Sequence, residues 1–214
     1  MLNLTVIAVV VTLVFCITTK PISQIEWSRP EIQDSVIVDR DHNKYPVKVF
    51  PDNTLWMTAN LKLNIPDSYC YENMEENCER YGRLYTWTSA QEGCKLLGNG
   101  WRLATKDEWE RLAKIYGGVC IRDSVESGKR AFKDLLASGS SPFNALLGGG
   151  RAPDGKYRRL DADGFYWAAT EIDSSLAWFY NFGKGSQTLY QQDNGEKTDA
   201  FSVRCVKSKS KIKS

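Results

Sequence analysis

Histidine is almost missing from this chain of 214 residues, with His42 the only one. A zinc site built from cysteine and histidine therefore has too few ligands, and none of the six cysteines stands in a Cys-x-x-Cys pair. A charge excess is missing too: 28 Lys and Arg face 26 Asp and Glu, for a formal net charge of +2. Binding a phosphate backbone calls for a basic field, so nucleic acid is not an expected partner. No apolar run is long enough to cross a bilayer comfortably. The longest, Leu4 to Ile17, covers 14 residues, against the ~20 of a spanning helix. There is no Gly-x-Ser-x-Gly elbow, and Gly148-Gly149-Gly150 runs into Arg151 and a turn rather than a helix. A hydrolase nucleophile and a phosphate-cradling loop are thus both without a motif. Internal repeats and low-complexity stretches are absent.

What is present begins with that apolar run, which has the length of a signal-peptide core. Residues 1–20 are read as a signal peptide or membrane anchor. No Lys or Arg precedes the run, which leaves an uncleaved anchor open. Cys16 follows Leu13-Val14-Phe15, resembling the box before a lipidated cysteine, although Phe15 stands where that box has a small residue. Cys16 is therefore the candidate lipidation site. Export to an extracellular, periplasmic or surface-anchored location follows as an expectation, with membrane contact only through this segment. Residues 21–34 read as a linker, 35–207 as one domain, and 208–214 as a basic tail carrying Lys209, Lys211 and Lys213. After export, Cys70, Cys78, Cys94, Cys120 and Cys205 meet oxidising conditions, and four of them are expected to pair.

Residues 36–57 read as three short strands, with Asp41-His42-Asn43 and Pro51-Asp52-Asn53 supplying the turns. A helix is expected from about Thr88 to Leu97, ended by Gly98. A second starts at Thr105, where Thr105 and Glu108 form a capping box and Trp109, Leu112 and Ala113 share one face; Gly117-Gly118 ends it. A third spans about Gly128 to Leu136. Beyond Ser138 the chain turns to short strands, with Pro153-Asp154-Gly155 and Asp193-Asn194-Gly195 as hairpin signals. Strands, two or three helices, then strands argue an α+β domain whose helices pack on short antiparallel strands.

Ordered pieces of the sequence resemble the Fibrobacter succinogenes major paralogous domain, an extracellular bacterial family grouped with C-type-lectin-like folds. They are Trp56-Met57 with Asn60-Leu61, Tyr69-Cys70-Tyr71 with Cys78, and Tyr81-Gly82-Arg83-Leu84-Tyr85-Thr86-Trp87. Gly100-Trp101-Arg102-Leu103, Glu108-Trp109, Tyr166-Trp167 with Thr170-Glu171, and Phe201-Ser202-Val203-Arg204-Cys205-Val206 follow. The resemblance implies a disulfide-stapled, C-type-lectin-like fold. Within it Cys70 and Cys78 would close a short loop rich in Glu and Asn, and Cys94 and Cys205 would join a helix to the last strand. Cys120 is then left over, as a buried thiol or as a partner of Cys16.

For function, the resemblance points to a recognition face on the C-terminal strands, where aromatics and amides are dense. Trp178, Tyr180, Tyr190 and Gln192 are expected to form one exposed ligand-binding set for a glycan or protein at the cell surface, because aromatic faces give large contact area at low entropic cost. Strand alternation must bury about half of the region's aromatics. Calcium-dependent lectins use Glu-Pro-Asn or Gln-Pro-Asp with Trp-Asn-Asp, none of which occurs. Asp161, Asp163 and Asp193-Asn194-Gly195-Glu196 read as solvated turns, so no metal and no cofactor are expected. Arg102-Leu103-Ala104-Thr105 with Glu108-Trp109-Glu110 is also similar to the formylglycine-generating, sulfatase-modifying family. Its oxidases hold copper with a C-terminal cysteine pair, and only Cys205 stands there. Catalysis is not expected. A structural component of a cell-surface assembly is the first alternative, and a formylglycine-generating-like enzyme the second.

Overall fold

The structure is a computed structural model that describes residues 35–121 and 128–208. The signal or anchor segment with Cys16, the linker, and the tail lysines Lys209, Lys211 and Lys213 lie outside the described residues.

The N-terminal meander forms as the sequence predicts. β1 (Ser35–Val38), β2 (Lys44–Val49) and β3 (Thr54–Met57) pair antiparallel in order. The first turn is organised by Asp39, whose carboxylate accepts from the backbone of Asp41 and Asn43 and from the Tyr45 hydroxyl at 2.6 Å. Such side-chain acceptance from nearby backbone is what makes Asp a turn residue. The last strand, β12 (Cys205–Ser208), inserts beside β3 and carries β6 (Arg102–Leu103) on its other edge. The sheet order is β1-β2-β3-β12-β6, so the start and end of the domain are neighbours.

Four helices are found among the described residues. α1 (Glu75–Tyr81) was not predicted; it starts inside the loop that Cys70 and Cys78 close and runs on past Cys78, with Glu75 and Glu76 in its first turn and Arg80 in its last. That charge order suits the helix dipole. α2 (Trp87–Lys95) starts one residue before the predicted Thr88 and is preceded by Thr86. α3 (Lys106–Ile115) has the expected capping box, with Thr105 and Glu108 exchanging side-chain and backbone hydrogen bonds. α4 (Lys129–Leu135) falls within the third predicted span. None of these helices is long and apolar enough to cross a membrane.

The second sheet has the order β11-β10-β9-β7-β8. Its strands are β7 (Gly148–Arg151), β8 (Tyr157–Leu160), β9 (Asp163–Glu171), β10 (Leu176–Gly183) and β11 (Thr188–Glu196). All neighbours are antiparallel except β7 and β9, which touch in parallel at Gly149 and Gly164. A short pair, β4 (Ser68–Tyr69) with β5 (Leu84–Tyr85), completes the fold. Both faces of β9 and β10 are covered. On one side Trp167 and Phe179 pack with Phe201, Leu103 and the α2 residue Cys94. On the other, Tyr166, Tyr180 and Phe182 meet Trp56, Trp109 and Phe143.

One hairpin signal holds and one does not. Pro153-Asp154-Gly155 lies in the β7–β8 turn, with Gly155 at φ 85. Asp193-Asn194-Gly195 lies inside β11 instead of turning. Gly195 is required there for close approach: a Cβ would meet Trp167 at 2.7 Å and Phe179 at 2.8 Å. The glycine answers to the aromatic core above it, not to a turn.

Candidate ligand-binding site

The four aromatic and amide positions predicted as one exposed set are divided by the sheet. β10 and β11 place Tyr180 opposite Gln191, Phe179 opposite Gln192 and Asn181 opposite Tyr190. Tyr190 and Gln192 thus share the face of Phe179, whereas Trp178 and Tyr180 lie on the side of α3. Tyr180 is moreover fully buried. Its ring stacks on Trp109 at 4.9 Å and its hydroxyl donates to the backbone oxygen of Lys106 at 2.9 Å. It belongs to the core, and the expectation of an exposed Tyr180 is corrected. The cause is the double cover of the sheet, which hides residues of both parities.

Trp178 remains half-buried at the rim of that core. The start of α3 supplies its surroundings. Lys106 Nζ lies 5.1 Å from the Trp178 ring centroid, within cation–π range, and 2.5 Å from Glu110 Oε1. The same Glu110 oxygen accepts from Gln191 Nε2 at 2.7 Å. The backbone N–H of Lys106 donates to Thr170 Oγ1 at 3.0 Å, which ties α3 to the end of β9. An amine, a carboxylate and an amide are thereby held beside one aromatic ring on regular elements, the arrangement that positions groups most tightly. Burial opposes the charge on Glu110, but hydrogen bonds from Lys106 and Gln191 outweigh it and hold the carboxyl below its usual range. Sequence reasoning chose Gln192 and missed Gln191, Lys106 and Glu110. The i, i+4 spacing of Lys106 and Glu110 signals an ion pair, but only the packing of β10 on α3 brings Trp178 to it.

A cleft of about 570 Å³ opens between α2 and the start of α3, lined by Gln91, Lys95, Trp101, Arg102, Thr105 and Ala169. On its wall Arg102 donates to both oxygens of the buried Glu108 at 2.7 Å. Burial raises and the hydrogen bonds from Arg102 and Thr105 lower the Glu108 pKa, with a net downward result. Both carboxylates on this side are therefore charged and paired, which suits holding a ligand better than moving a proton.

Cys70 and Cys78 are joined, as are Cys94 and Cys205. Cys120 is buried and belongs to neither bridge. Among the described residues, Cys70, Glu75 and Cys78 lie close enough together to hold an ion, but both sulfurs are committed to the disulfide. Of the acidic turns considered in the sequence, Asp161 accepts from the Tyr81 hydroxyl at 2.7 Å and Asp163 pairs with Arg159.

The motif residues turn out to be wired to one another. Arg204 Nε donates to Asn60 Oδ1, and Asn60 Nδ2 donates to the Tyr81 carbonyl, both at 2.6 Å. Gly82, at φ 81, stands where a Cβ would come within 2.5 Å of Asn60. Arg83 donates to Ser68 O at 2.9 Å and approaches the Cys70 and Cys78 sulfurs at 3.4 and 3.6 Å. Trp167 Nε1 donates to the Tyr85 carbonyl at 2.8 Å, and Tyr85 exchanges backbone hydrogen bonds with Phe201. These residues hold the scaffold.

No curated protein matches the chain. The family model for the Fibrobacter succinogenes major domain matches residues 45–207. That span runs from β2 to β12 and includes every motif residue just described, and the chain belongs to the Fibrobacter succinogenes major domain family.

Proposed function

We propose that this protein is a non-enzymatic binding or adhesion module with a C-type-lectin-like fold, exported and working outside the cell or at its surface. Its ligand is a glycan or protein, and the chemistry around Trp178 favours a glycan. The observation that carries the reading is the half-buried Trp178 ring beside Lys106, Glu110 and Gln191. Sugar rings present apolar C–H faces flanked by hydroxyls, and an aromatic plane next to fixed donors and acceptors matches both. The helix-to-last-strand disulfide and the second bridge suit an oxidising compartment.

The test is a screen of glycans and surface proteins with wild type, Trp178→Ala and Tyr190→Ala. The reading expects binding to fall by tenfold or more in Trp178→Ala, about 1.4 kcal/mol, and to persist in Tyr190→Ala, whose side chain lies on the other face. A wild type that binds a ligand which Trp178→Ala binds equally well would remove this surface. A wild type that binds nothing in the screen would favour a structural component of a surface assembly.

A further inference from the structure

We propose a second ligand site, a groove between α4 and the β10–β11 turn that takes an acidic polysaccharide. It does not rest on the Trp178 surface.

The groove follows from how α4 is patterned. Ala131, Phe132 and Leu135 are buried against the core, which turns Lys129, Arg130 and Lys133 outward. The β10–β11 turn brings Lys184 and Gln187 to the same place, and the end of α1 brings Arg80. Two clefts, of about 660 and 370 Å³, share Phe132, Leu136, Ser138 and Gln187 in their walls, so they form one groove.

Its charge departs from the balance of the whole chain. Among the described residues the groove is lined by five cations, Lys129, Arg130 and Lys133 in one cleft and Arg80 and Lys184 in the other, and by one acid, Asp161. Asp161 already accepts from the Tyr81 hydroxyl. Arg130 has Asp134 at 3.3 Å, while Lys133 and Lys184 have no carboxylate partner among the described residues. Cations gathered around a concavity attract an anion that fits inside it.

The lining decides which anion. Ser138 and Gln187 offer hydrogen bonds to hydroxyls, and the Phe132 and Leu136 side chains give an apolar floor for sugar C–H groups. A single-stranded nucleic acid would call for exposed stacking platforms, and among the described residues the groove's aromatics are Tyr81 and Phe132, only 4 % and 7 % exposed. A lipid surface would call for protruding apolar residues beside the cations, whereas here the apolar residues form the floor. A chain of uronate or sulfated sugars satisfies cations, amide and floor together.

The test is titration of the intact protein with polygalacturonate, heparin, neutral dextran, duplex DNA and anionic phospholipid vesicles between about 50 and 200 mM salt. The expected result is binding of one or both acidic polymers, weakening steeply with salt, and none of dextran; carboxylate and sulfate preference are separated by the first two probes. Lys133→Glu/Lys184→Glu should bind at least about tenfold more weakly. Lys133→Gln/Lys184→Gln should lose a smaller part, and a charge-matched control, Lys44→Glu/Lys156→Glu, both exposed and outside the clefts described above, should stay within about twofold. Trp178→Ala should bind these polymers as wild type does, even if the Trp178 surface itself proves wrong. Unchanged thermal melting of each variant keeps folding out of the comparison. Four results overturn the proposal: no preference for acidic over neutral polymer, equal loss in the control, undiminished binding in the groove variants, or tighter binding of duplex DNA or anionic vesicles.

Discussion

Arg204 is a fully buried guanidinium with no carboxylate partner among the described residues. Its cost and its purpose can both be read from its surroundings. Nε donates to Asn60 Oδ1 at 2.6 Å, Nη1 to the carbonyls of Met57 at 3.1 Å and Phe143 at 2.6 Å, and Nη2 to the carbonyl of Asn144 at 2.6 Å. The guanidinium also lies 4.7 Å from the Phe143 ring centroid. Burial depresses its pKa, yet a guanidinium stays charged. The cation thus pins residues 143 and 144 to β3 and β12. In Arg204→Met the four acceptors lose their donor at about 1–3 kcal/mol each. Against this stands the release of a desolvation penalty of several kcal/mol. Because three of the acceptors are backbone carbonyls that no side-chain change can remove, the loss wins, and we expect about 3–5 kcal/mol of destabilisation. Arg204→Lys keeps the charge but has only three donors at a point, so it should fall between the two. In urea denaturation followed by tryptophan fluorescence, Arg204→Met should lower the midpoint by about 2 M at a slope near 2 kcal/mol/M, with the slope unchanged. A variant within about 1 kcal/mol of wild type, or Arg204→Met more stable than Arg204→Lys, would refute the reasoning.

Other substitutions test other links. Gly195→Ala forces a methyl against Trp167 and Phe179 and should cost about 1–3 kcal/mol; Gly98→Ala, at φ 69 with nothing within 4 Å, should cost only the left-handed penalty of about 1 kcal/mol. Calorimetric melting of both separates packing from backbone strain. The two disulfides should rank by loop length. The Cys94–Cys205 bridge spans 111 positions and the Cys70–Cys78 bridge 8, so the chain-entropy model assigns them about 5 and 2.5 kcal/mol. Cys94→Ala/Cys205→Ala should therefore lower the denaturation midpoint about twice as far as Cys70→Ala/Cys78→Ala. Asp199 supplies a pH signature, since burial pushes its carboxyl up to about 6. The native state then holds an extra proton between about pH 4 and 6, so this group's contribution to stability declines as pH rises through that window. Asp199→Asn should abolish that decline in a series of melting temperatures from pH 4 to 7. Glu108 and Glu110, both lowered, act oppositely and further down, losing their contribution as the pH falls below about 4.

Where a signal was local, the sequence sufficed. The Thr105–Glu108 capping box set the start of α3 because both partners lie within one turn. Asp41-His42-Asn43 and Pro153-Asp154-Gly155 marked turns because their backbone needs are met locally, by the nearby Asp39 carboxylate in the first and by Asp154 and a left-handed Gly155 in the second. The order of the motifs marked the family and, through it, both cysteine pairs. α1 was not legible, since its apolar residues are too few to show a period and it is held by a disulfide and by Arg83.

The candidate site was legible only as a region. Composition put aromatics and amides on the last long strands, but exposure there depends on what covers each face of β10. Period-2 alternation assigns one face to solvent when a sheet has a single covered side; here α3 and β3 close one face, and α2 and Phe201 close the other. That double cover buried Tyr180, placed Gly195 under two rings, and set Trp178 apart from Tyr190 and Gln192. By itself the sequence determined the α+β class, the turns, the family and the disulfide partners, since these rest on local chemistry and on ordered motifs. The tertiary structure alone decided which aromatics stay partly exposed and which polar groups stand beside them, because both depend on contacts between segments more than sixty residues apart.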